Sequence, residues 1–217
     1  MAAPLLTFAV KEEARPLQKL LRAHSDAQVL LTGIGRQNAE QTIREALAEH
    51  RFQFVLTCGF AGGLNPELPT GTVIFSTDEG FSLSPALLEA GARPASFHCS
   101  DRIATSAEEK QKLWQSTGAD AVEMESSVIR AACREHGIPS ATVRVISDSA
   151  SEDLPLDFNR LMDAEQTLSY GRLALALAVS PGKIGALLRL QRTTKRAAEL
   201  LAGVLMKVIS GQAPIRT

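Results

Sequence analysis

Short apolar runs and amphipathic stretches alternate along most of the chain. Leu5–Val10 is an apolar run closed by charge at Lys11, the pattern of a buried strand. Glu13–His24 predicts a helix with Leu17, Leu20 and Leu21 on one face and Pro16 tolerated in its first turn. Gln28–Leu31 predicts a second strand and Asn38–His50 a helix with Ile43 and Leu47 turned inward. Phe52–Thr57 and Thr72–Ser76 predict two more strands. From residue 77 to 100 the pattern weakens into loops, including Asp78-Glu79-Gly80, around a short helix at Ala86–Ala90, with an edge strand at Phe97–Cys99. Glu108–Ser116 reads as a surface helix, and a helical tail broken at Ser180-Pro181-Gly182 fills most of the C-terminal part.

The stretch Ala121–Ser149 holds the densest chemistry. Glu123 and Glu125 precede a helix whose Val128, Ile129, Ala132 and Cys133 share one face. Gly137 and Pro139 stop that helix. Ala141–Ile146 then predicts a buried strand, ending on Ser147-Asp148-Ser149. Strands and helices alternate, and neither a repeat nor a linker interrupts them. The expectation is one α/β domain over residues 1–217 with a largely parallel sheet, whose ligands bind at the C-terminal ends of the strands. Each acid also has a plainer reading: Glu123 and Glu125 suit a helix N-terminus, and Asp148 suits the N-cap of a short helix.

Two glycine clusters follow predicted strands. Gly33-Ile34-Gly35 lacks the third glycine of a dinucleotide turn, Asn38 standing in its place, so simple helix-entry packing explains it equally well. Gly59-Phe60-Ala61-Gly62-Gly63 permits close ligand approach and leaves N–H groups to bind oxygen, though a sharp turn would look the same. Composition narrows the class further. The 217 residues are 45% hydrophobic and 22% charged, which suits a globular chain, and a net charge of −1 gives no reason to expect nucleic acid. Cys58, Cys99 and Cys133 have no metal-like spacing and their odd number argues against a disulfide framework, so a reducing cytoplasm is expected, with no metal or cofactor.

Five motifs in order carry a resemblance: Ala9-Val10-Lys11-Glu12-Glu13, Gly33-Ile34-Gly35-Arg36-Gln37-Asn38-Ala39, Cys58-Gly59-Phe60-Ala61-Gly62-Gly63-Leu64, Val122-Glu123-Met124-Glu125 and Arg144-Val145-Ile146-Ser147-Asp148. With them the chain resembles the purine and uridine phosphorylase superfamily, on the side of the methylthioadenosine/S-adenosylhomocysteine nucleosidases. The resemblance implies a phosphorylase/hydrolase-like three-layer αβα sandwich around a mixed sheet, acting as a homodimer on a purine nucleoside. It implies that Asp148 protonates or hydrogen-bonds the purine N7, and that Glu125 and Met124 hold the ribose. Glu13 and Glu123 match the acids that position and activate water; Phe60, Ala61, Gly62 and Ile103 fall at base and sugar positions. The implied transition state is oxocarbenium-like, which nearby carboxylates stabilise, and the role of Asp148 requires a proton on it.

The chain departs from the pattern in places. Phe60 stands where nucleosidases typically carry Ser, Ile103 replaces a stacking aromatic, and a hairpin before the Gly33 strand is missing. These shortcuts and the tail near Leu187–Arg196 are similar to a subgroup associated with hopanoid synthesis, whose implied substrate is an adenosyl lipid, adenosylhopane. The basic residues of Leu173–Ile209 then offer a peripheral membrane contact, or a solvated helix packed on its own domain. Phosphorolysis would need a cationic pocket, for which Arg36, Arg102 and Arg144 are the candidates. Glu13 at the water-activating position favours hydrolysis. A non-catalytic nucleoside-binding protein is the reading from another class.

Overall fold

A computed structural model describes residues 2–21, 26–78, 81–163, 171–172, 175 and 180–211. The first half contains β1 (Leu5–Phe8), α1 (Lys11–Leu21), β2 (Gln28–Leu31), α2 (Arg36–Glu49), β3 (Val55–Gly63) and β4 (Val73–Thr77). Next come α3 (Ser84–Glu89), β5 (Arg93–Pro94), β6 (Phe97–Cys99) and α4 (Ala107–Thr117). The last are β7 (Ala121–Glu123), α5 (Ser126–Glu135), β8 (Ser140–Asp148) and α6 (Ile184–Ser210). The strands form one sheet in the order β2-β1-β3-β8-β4-β5, with β7 joined to β3 and β6 to β7.

Alternation along the strands divides the apolar side chains between two faces. Leu6, Phe8, Leu56, Cys58, Val143 and Val145 share a core with Leu17 and Leu21 of α1, Leu87 of α3 and Leu201 and Leu205 of α6. Leu5 and Val55 face the other way, onto Ile43 and Leu47 of α2 and Ile129, Ala132 and Cys133 of α5. The result is three layers, helix on sheet on helix. The sheet is mixed rather than largely parallel: β1, β2, β3 and β8 run parallel, while β4 is antiparallel to β8 and β7 antiparallel to β3. The parallel block sends Ala9, Gly59–Gly63 and Ser147-Asp148 to one end of the molecule.

Several element boundaries differ from the sequence reading for identifiable reasons. Helix α1 begins at Lys11, so Pro16 lies inside it and not in its first turn. Residues 22–25, assigned to that helix's end, lie outside the described residues, as do Glu79 and Gly80 and most of the tail between 164 and 179. The run Gly59–Gly63 is not a turn after β3 but the end of β3 itself. It pairs with β8 as far as Gly62 opposite Asp148, through an irregularity between Ala61 and Gly62, and Gly62 and Gly63 also pair with β7. Helix α4 is not wholly a surface helix, since its Lys110 is fully buried. The second half of α6 is buried against the sheet, whereas Ile184 and Leu188 in its first two turns are exposed. Among the described residues no helix is long and apolar enough to cross a membrane.

Gly59 has two reasons to be glycine. Its φ is +143°, and a Cβ there would lie 2.6 Å from both Arg144 Nη1 and Glu13 Oε1. Gly91 offers a control, with φ +99° but open space around it. Gly59→Ala is therefore expected to lower the unfolding free energy by at least about 3 kcal/mol, and Gly91→Ala by about 1 kcal/mol. Urea titration of both variants checks this; equal losses would contradict the steric account.

Candidate active site

Four carboxylates reach one cavity of about 250 Å³ at the C-terminal ends of β1, β3 and β8. Each arrives by a different local device. Glu13 stands in the first turn of α1 and folds back, so that its carboxylate accepts the N–H groups of Ala9 (3.0 Å), Val10 (3.2 Å) and Phe60 (2.7 Å). Glu123 ends β7 and accepts the N–H groups of Glu125 (3.0 Å) and Ser126 (2.8 Å) at the start of α5, with the Ser126 hydroxyl at 2.7 Å. That uses the free donors of a helix N-terminus. Glu125 accepts the N–H of Gly35 (2.9 Å), held toward it by the positive φ of 85° before α2. Asp148 ends β8 and accepts the Ser147 hydroxyl at 2.6 Å.

Arg144, four residues before Asp148, is the cation among three of these acids. It is 1% exposed, and its side chain leaves the sheet opposite to Val143 and Val145. Nη2 donates to Glu123 Oε2 at 2.6 Å, to Glu125 Oε2 at 3.2 Å and to Thr57 Oγ1 at 3.3 Å; Nη1 donates to the Cys58 carbonyl at 3.2 Å. Glu13 flanks the same guanidinium across Gly59.

One cation beside three buried carboxylates sets their protonation apart. Burial pushes Glu123 up, but Arg144 and the donors of α5 outweigh it and hold this acid below the usual carboxylate range. Burial also pushes Glu125 up, and with Glu123 close by, Arg144 does not bring it back down. Glu13 is raised to about 7, by burial first and by the charge of Glu125, against the opposing pull of Arg144 and the backbone donors. Arg144 itself stays charged because the surrounding acids outweigh its burial.

Of the residues singled out from the sequence, Phe60, Ala61 and Gly62 line the cavity from β3, Met124 from the turn before α5, and Ile103 from the loop before α4. Arg102 also lines it, paired with Glu109 at 3.1 Å. Arg36 does not: it lies on the surface, paired with Asp101 at 3.2 Å. The sequence reading missed Lys110, whose Nζ lies 2.5 Å from Asp148 Oδ2. A charged residue on a helix face shared with Leu113 was the available signal. It also missed an apolar wall formed by Leu154, Phe158 and Leu190. Asn159 fixes that wall by bonding the Ile103 N–H and carbonyl, both at 2.9 Å.

The raised Glu13 has a consequence for stability. An acid whose folded value lies above its unfolded 4.5 contributes most below pH 4.5, and that contribution is lost as pH rises to about 7. Glu13→Gln removes the titration. The stability of this variant relative to wild type is expected to rise by roughly 3 kcal/mol between pH 4.5 and 8, read from urea unfolding at both pH values. A difference independent of pH would contradict the burial of an ionisable Glu13.

Comparison with known proteins adds ancestry to this geometry. A family model described as the phosphorylase superfamily matches residues 89–178. A 5'-methylthioadenosine/S-adenosylhomocysteine nucleosidase of Marinomonas sp. is 25% identical over 175 residues, covering 63% of this chain and 74% of the relative. One from Exiguobacterium sp. is 26% identical over 187 residues, covering 70% and 78%. Among solved structures, the Helicobacter pylori nucleosidase of the same name, with butyl-thio-DADMe-Immucillin-A, aligns over 97% of this chain and 99% of its own at a TM-score of 0.73 and 18% identity. Futalosine hydrolase of the same organism aligns over 97% and 98%, at a TM-score of 0.72 and 17% identity. Fold, sequence relatives and family model point the same way: residues 89–178 match the phosphorylase superfamily, and the chain is similar to nucleosidases in sequence and fold.

Proposed function

We propose that the protein cleaves the N-glycosidic bond of an adenine nucleoside bearing a 5′ substituent, with water as the attacking group. The observation that carries this reading is the convergence of Glu13, Glu123, Glu125 and Asp148 on one cavity, with Glu13 poised near pH 7. A base is most useful when it titrates near the working pH. In this reading Glu13 takes the proton of the attacking water, with Glu123 helping to orient it. Glu125 and Met124 hold the ribose, and Ala61, Gly62, Phe60 and Ile103 lie against sugar and base. The C1′–N bond breaks with its electron pair leaving on the base. The positive charge then developing on the sugar is stabilised by the surrounding carboxylates, and Asp148 serves the departing base at N7.

Hydrolysis is favoured over phosphorolysis by the state of the cations. Arg144 is already shared by Glu123 and Glu125, so a phosphate dianion entering there would meet two carboxylates first. Arg36 is outside the cavity, and Arg102 is paired with Glu109. The two curated relatives described above are also named as nucleosidases.

The apolar wall of Leu154, Phe158 and Leu190 supports a hydrophobic 5′ group. A second reading extends that group to a lipid, as in an adenosyl lipid such as adenosylhopane. It is supported by the first half of α6, where Leu190 and Thr194 line the cavity while Ile184 and Leu188 are exposed near Lys183, Arg189 and Arg192. Such a basic and apolar helix surface suits peripheral contact with an anionic membrane.

Adenine release tests the reading, measured from 5′-methylthioadenosine and from an adenosine with a long 5′-alkyl group, with and without phosphate. Release without phosphate is expected, with kcat/KM rising along an acid limb centred near pH 7 that Glu13→Gln abolishes. Asp148→Asn is expected to lose about 10²–10⁴-fold in kcat. Strict dependence on phosphate would make the protein a phosphorylase, and no release from any adenosine would overturn the reading. Preference for the alkyl nucleoside favours the lipid extension.

A further inference from the structure

Lys110 is the least expected residue near the cavity. It is fully buried, and its ammonium group has three acceptors for its three N–H bonds: Asp148 Oδ2 at 2.5 Å and the carbonyls of Ser149 and Glu152, each at 2.8 Å. That set suits the charged form. Its reach is fixed from both sides. The Ala107 N–H at the start of α4 bonds Asp153 (2.7 Å), and the Leu154 N–H bonds the Thr105 carbonyl (2.8 Å), so the helix is stitched to the loop after β8. Beside the pair, Gly62 leaves room: a Cβ there would lie 3.4 Å from Asp148 Oδ2 and 3.9 Å from Lys110 Cε.

Asp148 consequently accepts on both oxygens, from Lys110 and from the Ser147 hydroxyl. The Ser147 hydroxyl also reaches the Ala61 carbonyl at 3.3 Å, so the contact whose donor is fixed is the Lys110 ammonium on Asp148 Oδ2. Yet a purine leaves readily only if its ring nitrogen is protonated as the glycosidic bond breaks. The proton therefore needs a source, and the buried ammonium is bonded directly to Asp148.

We propose that Lys110 supplies the proton taken up by the departing base, with Asp148 as the intermediary; the proposal rests on the nucleosidase reading above. An N–H bond of Lys110 breaks and an O–H bond forms on Asp148. An Asp148 proton passes to N7 while the C1′–N bond breaks with its electron pair on the base. Water delivers hydroxide to C1′ and its proton to Glu13. Once the base has gone, Glu13 releases its proton to solvent and Lys110, left as a neutral amine, takes one up from it, which restores both groups. In this role Lys110 is a positioning residue: it acts through Asp148 and does not touch the substrate.

A lysine that merely staples α4 to the loop would affect every substrate alike. A proton supplier affects only those whose leaving group needs a proton. The test compares adenine release from 5′-methylthioadenosine with nitrophenolate release from a p-nitrophenyl riboside, in wild type, Lys110→Met and Lys110→Ala, with thermal melting to show that the variants are folded. Wild type should cleave both. The variants are expected to lose at least about 10²-fold in kcat on the adenine substrate, with much less change on the nitrophenyl riboside. Ethylammonium added to Lys110→Ala should restore part of the adenine rate. If Lys110→Met does not fold, Lys110→Cys converted to its aminoethyl thioether replaces it; return of the adenine rate on conversion supports the proposal, and no return overturns it. Equal losses on both substrates, or an unchanged adenine rate, would overturn the proposal while leaving the nucleosidase reading intact. A wild type silent on both substrates would overturn that reading and the proposal together.

Discussion

The structure depends on one buried guanidinium and the three carboxylates gathered round it. Arg144 sits in the middle of a strand whose neighbours on the other face, Val143 and Val145, are wholly apolar in their packing. Such a charge is tolerable only if paired, and removing one partner of a buried pair typically costs about 3–5 kcal/mol. The pairing draws together distant parts of the chain: Glu13 from α1, Glu123 and Glu125 from the junction of β7 and α5, and Cys58 and Thr57 from β3. It also forces Gly59, because no side chain fits between Glu13 and Arg144. Since three acids share one cation, their charges cannot be balanced equally. Glu123, with the most donors, takes the ionised role, and Glu13 is left titrating near neutrality.

That inequality is what connects the fold to chemistry. A sheet with parallel β1, β3 and β8 brings their C-terminal ends side by side. The helices that follow add donors: the start of α5 holds Glu123, and the backbone before α2 holds Glu125. The site is thus held largely by main-chain groups on regular elements, which keeps its side chains preorganised. Its outer wall differs in kind, being supplied by a loop, a single turn of 3-10 helix and the first half of α6. The end lined by the carboxylates is polar and held by main-chain donors, and the outer end is apolar.

Much of this was legible from residues alone, and the exceptions have physical causes. Strands such as β1, read two residues too long to Val10, and β2 were readable because short apolar runs closed by the charge of Lys11 or by the Thr32-Gly33 turn have few other fates. The end of β3 was not, because glycines contribute no hydropathy pattern and look like a turn whether or not they pair. β7 is three residues long and sits among acids, so its antiparallel pairing to β3 left no periodic trace, and no pattern within β4 marks its antiparallel pairing to β8; only the family resemblance implied the mixed sheet. The acids were found through their motifs. Lys110 was not, since its place on the helix face of Leu113 carries little weight until Asp148, Ser149 and Glu152 are brought to it from a later part of the chain. Arg36, though beside a glycine motif, found a surface partner in Asp101 instead.

The central claim is that one shared cation leaves Glu13 as the poised base. Its most direct test is the titration of the Glu13 side-chain carboxyl by carbon-13 NMR, assigned by comparison with Glu13→Gln. The account predicts a midpoint near pH 7, the value to which burial raises it. A midpoint at the ordinary glutamate value of about 4.5 would mean that Arg144 and the backbone donors offset the burial completely, and would contradict the account.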